Sequence, residues 1–530
     1  MYYIDLKKDK PDIGRMEATM DRLMTKGIRL ADCNELKTYY AELRETLKND
    51  ISEKYYIKNP NSPAQIVDFL KVTASTIDLN SKNDIINICY NSEDDKWTTN
   101  AEALGKLADL GYEFARDILD YRHVKKYAES IESITEAADE NGLIHPTVSL
   151  GKTHRVNYSN PGLLTIPKKL LWYIIAPYTK GNVLYSIDIK NQEPNILINI
   201  TGANELKPAL ESKDGLYETL FKQCFVPKVT MNVLIDTLPE NRVYEINELK
   251  QIGTISPASY SAAKPAVNNI YYNDERVVGI ETVCAGSEKG LIPQLPETIS
   301  IETEKGNIYS VKVTWDMETV NKKYKRGNDY SVTGTLDELE VRVSKAERKE
   351  FKTAWLAISY GASIFGIKLS CKIIDGATVY NFATKVNGLK EYRSKIDALA
   401  KEGNSIIGTA FGTPLNAGYY DDWKKLKRVL LDLPIQGTGA DILSLLINRF
   451  YDYTTEHSLD DKMYLYYTRH DELIIEVDQK YLSEIGNEKM ESILRDMLEH
   501  QINDWSPFHV EIQQVGNKKV DISEIEDDED

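Results

Sequence analysis

The sequence predicts an α+β protein, and three observations predict it. Helical periodicity dominates the first 140 residues, strand-like alternation fills residues 225–341, and two β-prone runs each end on an acid, Asp188 and Asp471. A chain of 530 residues exceeds a single core and implies roughly three or four units. With 42% hydrophobic and 28% charged residues, disorder over most of the length is excluded.

Met16, Met20 and Leu23 recur at helical spacing within residues 12–50, Gly27 ends the first such pattern, and residues 104–140 have the same character. The cluster Asn59-Pro60-Asn61-Ser62-Pro63 makes a turn and cap ahead of a short helix, Ala64–Val72. Val183–Asp188 reads as a strand, after which Glu193-Pro194 opens a helix with proline at its first position. Within 225–341, the stretch ISIETEKGNIYSVKV alternates around Glu304-Lys305-Gly306 as a hairpin, and Arg276–Val283 and Tyr330–Thr335 are further strands, so a separate β-rich module is expected there. Ser344-x-x-Glu347 is a capping box heading a helix from Lys345 to about Ser359, and another helix follows Gln436-Gly437-Thr438-Gly439. Met463–Arg469 and Leu473–Val477 flank His470-Asp471-Glu472 as a strand, a turn with an acid at its tip, and a strand. No internal repeat is present.

Charge is uneven along the chain. The net charge is -17, yet the last ten residues hold seven acids and read as a solvated tail, 521–530. Between Gly151 and Ile187 stand Lys152, Arg155, Lys168, Lys169 and Lys180 with no acid. Such a patch suits phosphates, or is a basic surface loop of no consequence; composition alone leaves the two readings equal. Five dispersed cysteines with no Cys-x-x-Cys pair argue against a disulfide framework and a structural zinc site, and fit a reducing compartment. The polar amino terminus lacks a signal-peptide pattern, and apolar stretches such as Leu170–Pro177 break within about ten residues, so no membrane partner is expected.

The chemistry suggested by these residues is phosphoryl transfer. Arg348, Lys352, Leu356 and Tyr360 recur every four residues; that spacing drifts by only about 40° per step, so both cations share one helix face, able to grip a triphosphate. Two strand-end carboxylates brought together stay ionised at low cost only around divalent cations, which favour oxygen donors and promote attack on phosphorus. Singly each element is weak, since a strand-end Asp is more often a turn residue; their order along the chain carries the argument.

In that order the segments resemble family A DNA polymerases, the family of bacterial DNA polymerase I. Asp188-Ile189-Lys190-Asn191-Gln192-Glu193 is similar to the family's motif A, Asp-Tyr-Ser-Gln-Ile-Glu; Arg348-x3-Lys352-x3-Leu356-x3-Tyr360-Gly361 resembles motif B; His470-Asp471-Glu472 resembles motif C. Thr153-His154-Arg155 with Asn160-Pro161-Gly162-Leu163 and Ile166-Pro167 resembles the segment before motif A, and Arg428, Pro434, Gln436-Gly437-Thr438 and Ala440-Asp441 resemble the later Pro-x-Gln-Gly-Thr-Ala-Ala-Asp helix.

The resemblance implies a right-hand polymerase fold: thumb and adjoining helices at 1–145, palm at 146–215 and 421–520, fingers at 216–420 with the 225–341 insertion and the 344–361 motif B helix. It implies template-directed DNA synthesis with catalytic residues Asp188, Asp471 and Glu472, and two Mg²⁺ ions held by Asp188, the Ile189 carbonyl and Asp471. Arg348, Lys352, Leu356, Tyr360 and Glu193 would bind the deoxynucleoside triphosphate, with Glu193 as a buried acid filling the space of a ribose 2′-hydroxyl; Arg155, Arg428, Gln436 and His470 would contact primer–template DNA. Each of these DNA contacts has a structural alternative: a surface cation, a packed turn histidine, a helix cap.

Departures from the family pattern are Leu356 and Ala357 in motif B, Ile189 and Lys190 in motif A, Asp432 in place of an asparagine, and the β-rich insertion. The insertion faintly resembles a protein-splicing domain, but no His-Asn pair ends it before Ser344, so it is expected to be a fingers appendage that binds DNA or a protein. Too few residues precede Met16 for a 3′–5′ exonuclease domain, so a separate exonuclease or a processivity factor is a candidate partner, and the architecture suggests a phage enzyme in a bacterial cytoplasm. The rival readings are a single-subunit RNA polymerase, which Glu193 and Glu472 disfavour, and a non-catalytic nucleic-acid-binding scaffold, which the retained Asp188 and Asp471 disfavour.

Overall fold

In the computed structural model, residues 1–76, 79–91, 95–245, 248–249, 251, 270–281 and 284–516 are described. The expected acidic tail and the end of the expected Arg276–Val283 strand lie outside them. The chain divides into two compact units: Met1–Gln192 with Gly408–Leu415 and the described residues from Gln436 onward, and Glu193–Ile407 with Asn416–Ile435.

The first unit begins with helices Ile13–Lys26, Asn34–Tyr55, Pro63–Thr76, Leu79–Cys89, Ala101–Asp109 and Glu113–Glu136. Asp12 caps the first, its carboxylate accepting from the Arg15 N–H at 2.8 Å, and Gly27 stops it at φ +92°, a conformation that favours glycine. Ile66, Leu70, Leu104, Leu107 and Ile118 are fully buried among these helices. Each such side chain contributes about 2 kcal/mol by leaving water.

A four-stranded antiparallel sheet follows, in the order Met463–Arg469, Glu472–Val477, Val183–Ile189, Val510–Val515. All six positions of Glu472–Val477 are buried, so this strand is covered on both faces and shows no polar alternation. Its one interior acid, Glu476, accepts from the Tyr178 and Thr179 backbone N–H groups and from the Asn182 amide, which makes its burial tolerable. The helix after Asp188 spans Gln192–Thr201, so Pro194 is its third residue rather than its first; the N–H it lacks is still one of the unpaired donors of the first turn.

The expected helix after Gln436–Gly439 starts thirteen residues before Gln436: one helix runs Trp423–Glu456 with Pro434 inside it. Proline and glycine read as breakers, but Leu430, Leu431, Leu433, Ile435, Ile442 and Leu443 are all buried, and their burial outweighs the roughly 3 kcal/mol that an interior proline costs. Contrary to the expectation that no segment is long and apolar enough, this helix would pass for a membrane span by composition; 89% of its apolar window is buried in the protein, the mark of a core helix.

In the second unit, nine strands among the described residues form one sheet in the order Val243–Tyr244, Cys284–Ser287, Lys228–Ile235, Tyr330–Leu336, Ile308–Trp315, Thr298–Thr303, Glu275–Ile280, Ile270–Tyr272, Glu340–Val341. The expected hairpin pairs Thr298–Thr303 with Ile308–Trp315 around Gly306 at φ +78°. Helices Lys345–Ser359, Ile364–Ser370, Gly376–Lys385 and Leu389–Lys401 come next. Gly388, which precedes the last, has φ +80°, and a Cβ there would lie 2.4 Å from the Thr201 carbonyl oxygen and 2.9 Å from the Ala203 nitrogen. Because backbone rather than a flexible side chain blocks the space, Gly388→Ala should lower stability by about 3 kcal/mol, read as a lower urea midpoint; an unchanged midpoint would refute the placement of this turn.

Candidate active site

In the first unit the sheet lines up its acids. Glu472 and Glu511 both stand directly opposite Asp188 on the two neighbouring strands, so three carboxylates form a row on one face. Asp471 lies at the turn before Glu472, where His470 adopts φ +55° and leaves its side chain exposed. Asp188 and Asp471 are partly exposed, Ile189 is buried at the strand end, and Glu472 is 2% exposed.

Lys168 connects the row. Its ammonium lies 2.8 Å from Asp188 Oδ2 and 2.9 Å from Glu472 Oε1, and the Ser186 hydroxyl also donates to Glu472. Burial pulls the Lys168 pKa down, but Glu472 and Asp188 outweigh it and hold it above its ordinary value. For Glu472, burial raises the pKa against the opposing pull of Lys168 and the Ser186 hydrogen bond. A cavity of about 560 Å³ beside these groups is lined in part by Lys168, Asp188, Arg469, Glu511 and Gln513. The basic stretch Gly151–Ile187 thus sends one lysine into the carboxylates, a role that no local pattern around Lys168 announces.

Arg155 is partly exposed, and Gln436 is half-buried in mid-helix rather than capping a helix. Gln192, where motif A has isoleucine, and Gly439, where the later helix has alanine, are paired departures. A Cβ at residue 439 would lie 2.6 Å from Gln192 Oε1, with an Arg155 Nη atom 3.8 Å away. The missing methyl makes room for the longer polar side chain.

Two residues on, Asp441 is fully buried and accepts from the Thr409 and Thr413 hydroxyls. Burial pushes its carboxyl up to about 6 against the opposing hydrogen bonds. The neutral form is therefore the better folded one. Its stabilising contribution is complete below the unfolded value near 4 and is lost as pH rises through about 6. Asp441→Asn removes this titration, so in urea unfolding the variant should gain about 2 kcal/mol relative to the parent between pH 4 and pH 7.5; a constant difference would contradict it.

The second unit holds the cationic face. The Ser344–Glu347 capping box starts the helix Lys345–Ser359, and Phe351, Ala354, Trp355 and Ile358 bury its other side, which leaves Arg348 and Lys352 exposed. Leu356 is partly buried and Tyr360 is the C-terminal cap, its hydroxyl donating to Glu193 Oε2 at 3.0 Å. Glu193 is thus partly exposed and tethered, a correction to the buried acid that the motif implies: it lies in the first turn of its helix, where its side chain reaches outward to the tyrosine. Tyr217, absent from the motif-based set, belongs here as well. Lys352 Nζ lies 5.9 Å from its ring centroid, and its hydroxyl pKa is raised by burial and by Glu193 against the pull of Arg348. Arg428 is exposed and runs beside Gly361, with Cγ 3.8 Å from where a Cβ would stand.

A sequence model described as DNA polymerase family A matches residues 31–233 and 319–517, and one described as a bacterial Ig-like domain (group 4) matches residues 280–339. The second match likens the β-rich segment to an Ig-like domain rather than a protein-splicing one. The chain is 25% identical over 262 residues to DNA polymerase I of Aquifex aeolicus (strain VF5), covering 48% of this chain and 42% of that protein. It is 30% identical over 133 residues to DNA polymerase I of Rhizobium leguminosarum, covering 23% of this chain and 12% of that one. The matched stretches thus span less than half of these relatives' own length. Among solved structures, the POL domain of Pol1 from M. smegmatis, in complex with DNA primer-template and dNTP, matches with a TM-score of 0.60 over 95% of this chain and 69% of that one, at 15% identity. That likeness shows a shared α+β polymerase fold, and with the first match covering most of the sequence, the chain belongs to DNA polymerase family A.

Proposed function

We propose that the protein is a template-directed DNA polymerase that adds deoxynucleotides to a primer 3′-hydroxyl. The observation that carries this reading is the in-register pair Asp188 and Glu472 next to the Asp471 turn, on the sheet of a family A chain. The donor set fits Mg²⁺: hard carboxylate oxygens from Asp188 and Asp471 and the Ile189 carbonyl, with no thiol among them, at a place where the protein already sets a positive group against Asp188. Bound there, two Mg²⁺ ions would favour ionisation of the attacking hydroxyl and offset charge on the departing pyrophosphate.

The chain's own residues do the rest. Arg348 and Lys352 neutralise the triphosphate, an arrangement their exposure on one helix face supports. Leu356 and Tyr360 border the sugar and base of the incoming nucleotide, and Glu193, held by Tyr360, occupies the space of a 2′-hydroxyl. Glu472, buried against Ser186, orients the carboxylate row. Arg155, Arg428, Gln436 and His470 contact the primer–template, reading phosphates and duplex shape rather than sequence. The solved relative was captured with these two ligands, primer-template DNA and dNTP, which favours the same pair here.

The test is extension of a labelled primer with Mg²⁺ and deoxynucleotides, with a chelator control. A ladder of products that the chelator removes supports the reading; intact duplex binding without extension would make the chain a scaffold.

A further inference from the structure

The carboxylate row is arranged around a cation that the chain itself supplies. Lys168 is the second residue after Ile166, on the helix Lys168–Ile174, and its ammonium contacts two acids on two different strands at 2.8 and 2.9 Å. Glu472 is almost fully buried, so this is no surface ion pair whose loss goes unnoticed. Without Lys168, two carboxylates directly opposite each other on neighbouring strands would face one another, with the Ser186 hydroxyl the one side-chain donor to them seen among the described residues. The 560 Å³ cavity gives the ammonium room to leave: Lys168 lines it together with Glu511, an acid on the far side of Asp188 in the same row.

We propose that Lys168 is a resident counter-cation of the carboxylate row, one that holds Asp188 and Glu472 in place before loading and that an incoming divalent cation must displace. The inference rests on the reading of Asp188 and Asp471 as metal ligands. Lys168 is a positioning residue in this account: it acts through the carboxylates, setting how tightly they take a divalent ion. A flexible monovalent group on a side chain that is 36% exposed can yield to a doubly charged ion, while a buried acid left without a counter-charge would strain the sheet.

The probe is Mn²⁺ binding to the full chain without DNA or nucleotide, followed by the paramagnetic resonance of free Mn²⁺, for the parent, Lys168→Met, Lys168→Arg and Asp188→Asn. Lys168→Met should bind Mn²⁺ on the order of tenfold more tightly than the parent, and Lys168→Arg should stay near the parent. A purely structural lysine would give the opposite sign, since its loss would loosen the acids and weaken binding. Thermal melting gives a second reading: Lys168→Met should melt lower than the parent without Mn²⁺ and recover when it is added. Equal or weaker binding by Lys168→Met, with parent binding that Asp188→Asn abolishes, would overturn this inference alone. No saturable binding by the parent or by Lys168→Met would overturn both it and the metal reading.

Discussion

Asp188→Ala and Asp471→Ala should each cut single-turnover nucleotide incorporation by at least about 10³-fold, because each removes an acid proposed to hold the ions that stabilise charge at the reacting phosphorus. Rapid-quench extension of a preformed primer–template complex reads the rate, and fluorescence anisotropy of the same duplex reads binding. Both side chains are partly exposed at strand ends, so their truncation opens no core cavity and folding should persist. Duplex affinity should change only a few-fold, and if anything tighten, since a negative charge is lost near DNA. Incorporation within tenfold of the parent in either variant would remove that acid from the catalytic set.

The second large effect is on sugar selection. Glu193→Ala should lower the preference for deoxy- over ribonucleotides by on the order of 10²-fold, measured as the ratio of kcat/KM values on one template. The physical reason is the tether: Tyr360 donates to the Glu193 carboxylate at 3.0 Å and fixes where that acid projects, while the Tyr217 hydroxyl feels the charges of both Glu193 and Arg348. Tyr360→Phe should therefore lose part of the selectivity that Glu193→Ala loses, with the stated hydrogen bond gone and the ring kept. Unchanged selectivity in Glu193→Ala would show that the acid's proximity to the tyrosine has no bearing on the sugar.

What the sequence showed depended on whether the governing forces were local. The strand pair around Asp471 was legible because two β-prone runs bracket a turn, and the Ser344 cap was legible because Glu347 stands three residues on and both hydrogen bonds of the box form. The helix through Pro434 was not, because its local signals say stop while burial of its leucines says continue. Glu511 stayed hidden because its place opposite Asp188 follows from register, which residue spacing around Asp188 does not encode, and Lys168 stayed hidden because it reaches Asp188 from a helix only through tertiary packing. Tyr217 was missed for the same reason: it lies far along the chain from Lys352 and reaches it only through folding. The exposure of Glu193 is likewise set by its place on the first helical turn, which a motif match does not report.

The most direct test of the central claim is single-nucleotide incorporation on four primer–templates that differ only in the first unpaired base, each offered the four deoxynucleotides one at a time with Mg²⁺. The account predicts extension by the complementary nucleotide on each template and loss of all four signals in Asp471→Ala. Addition of the same nucleotide whatever the template base, or extension that survives Asp471→Ala, would contradict it.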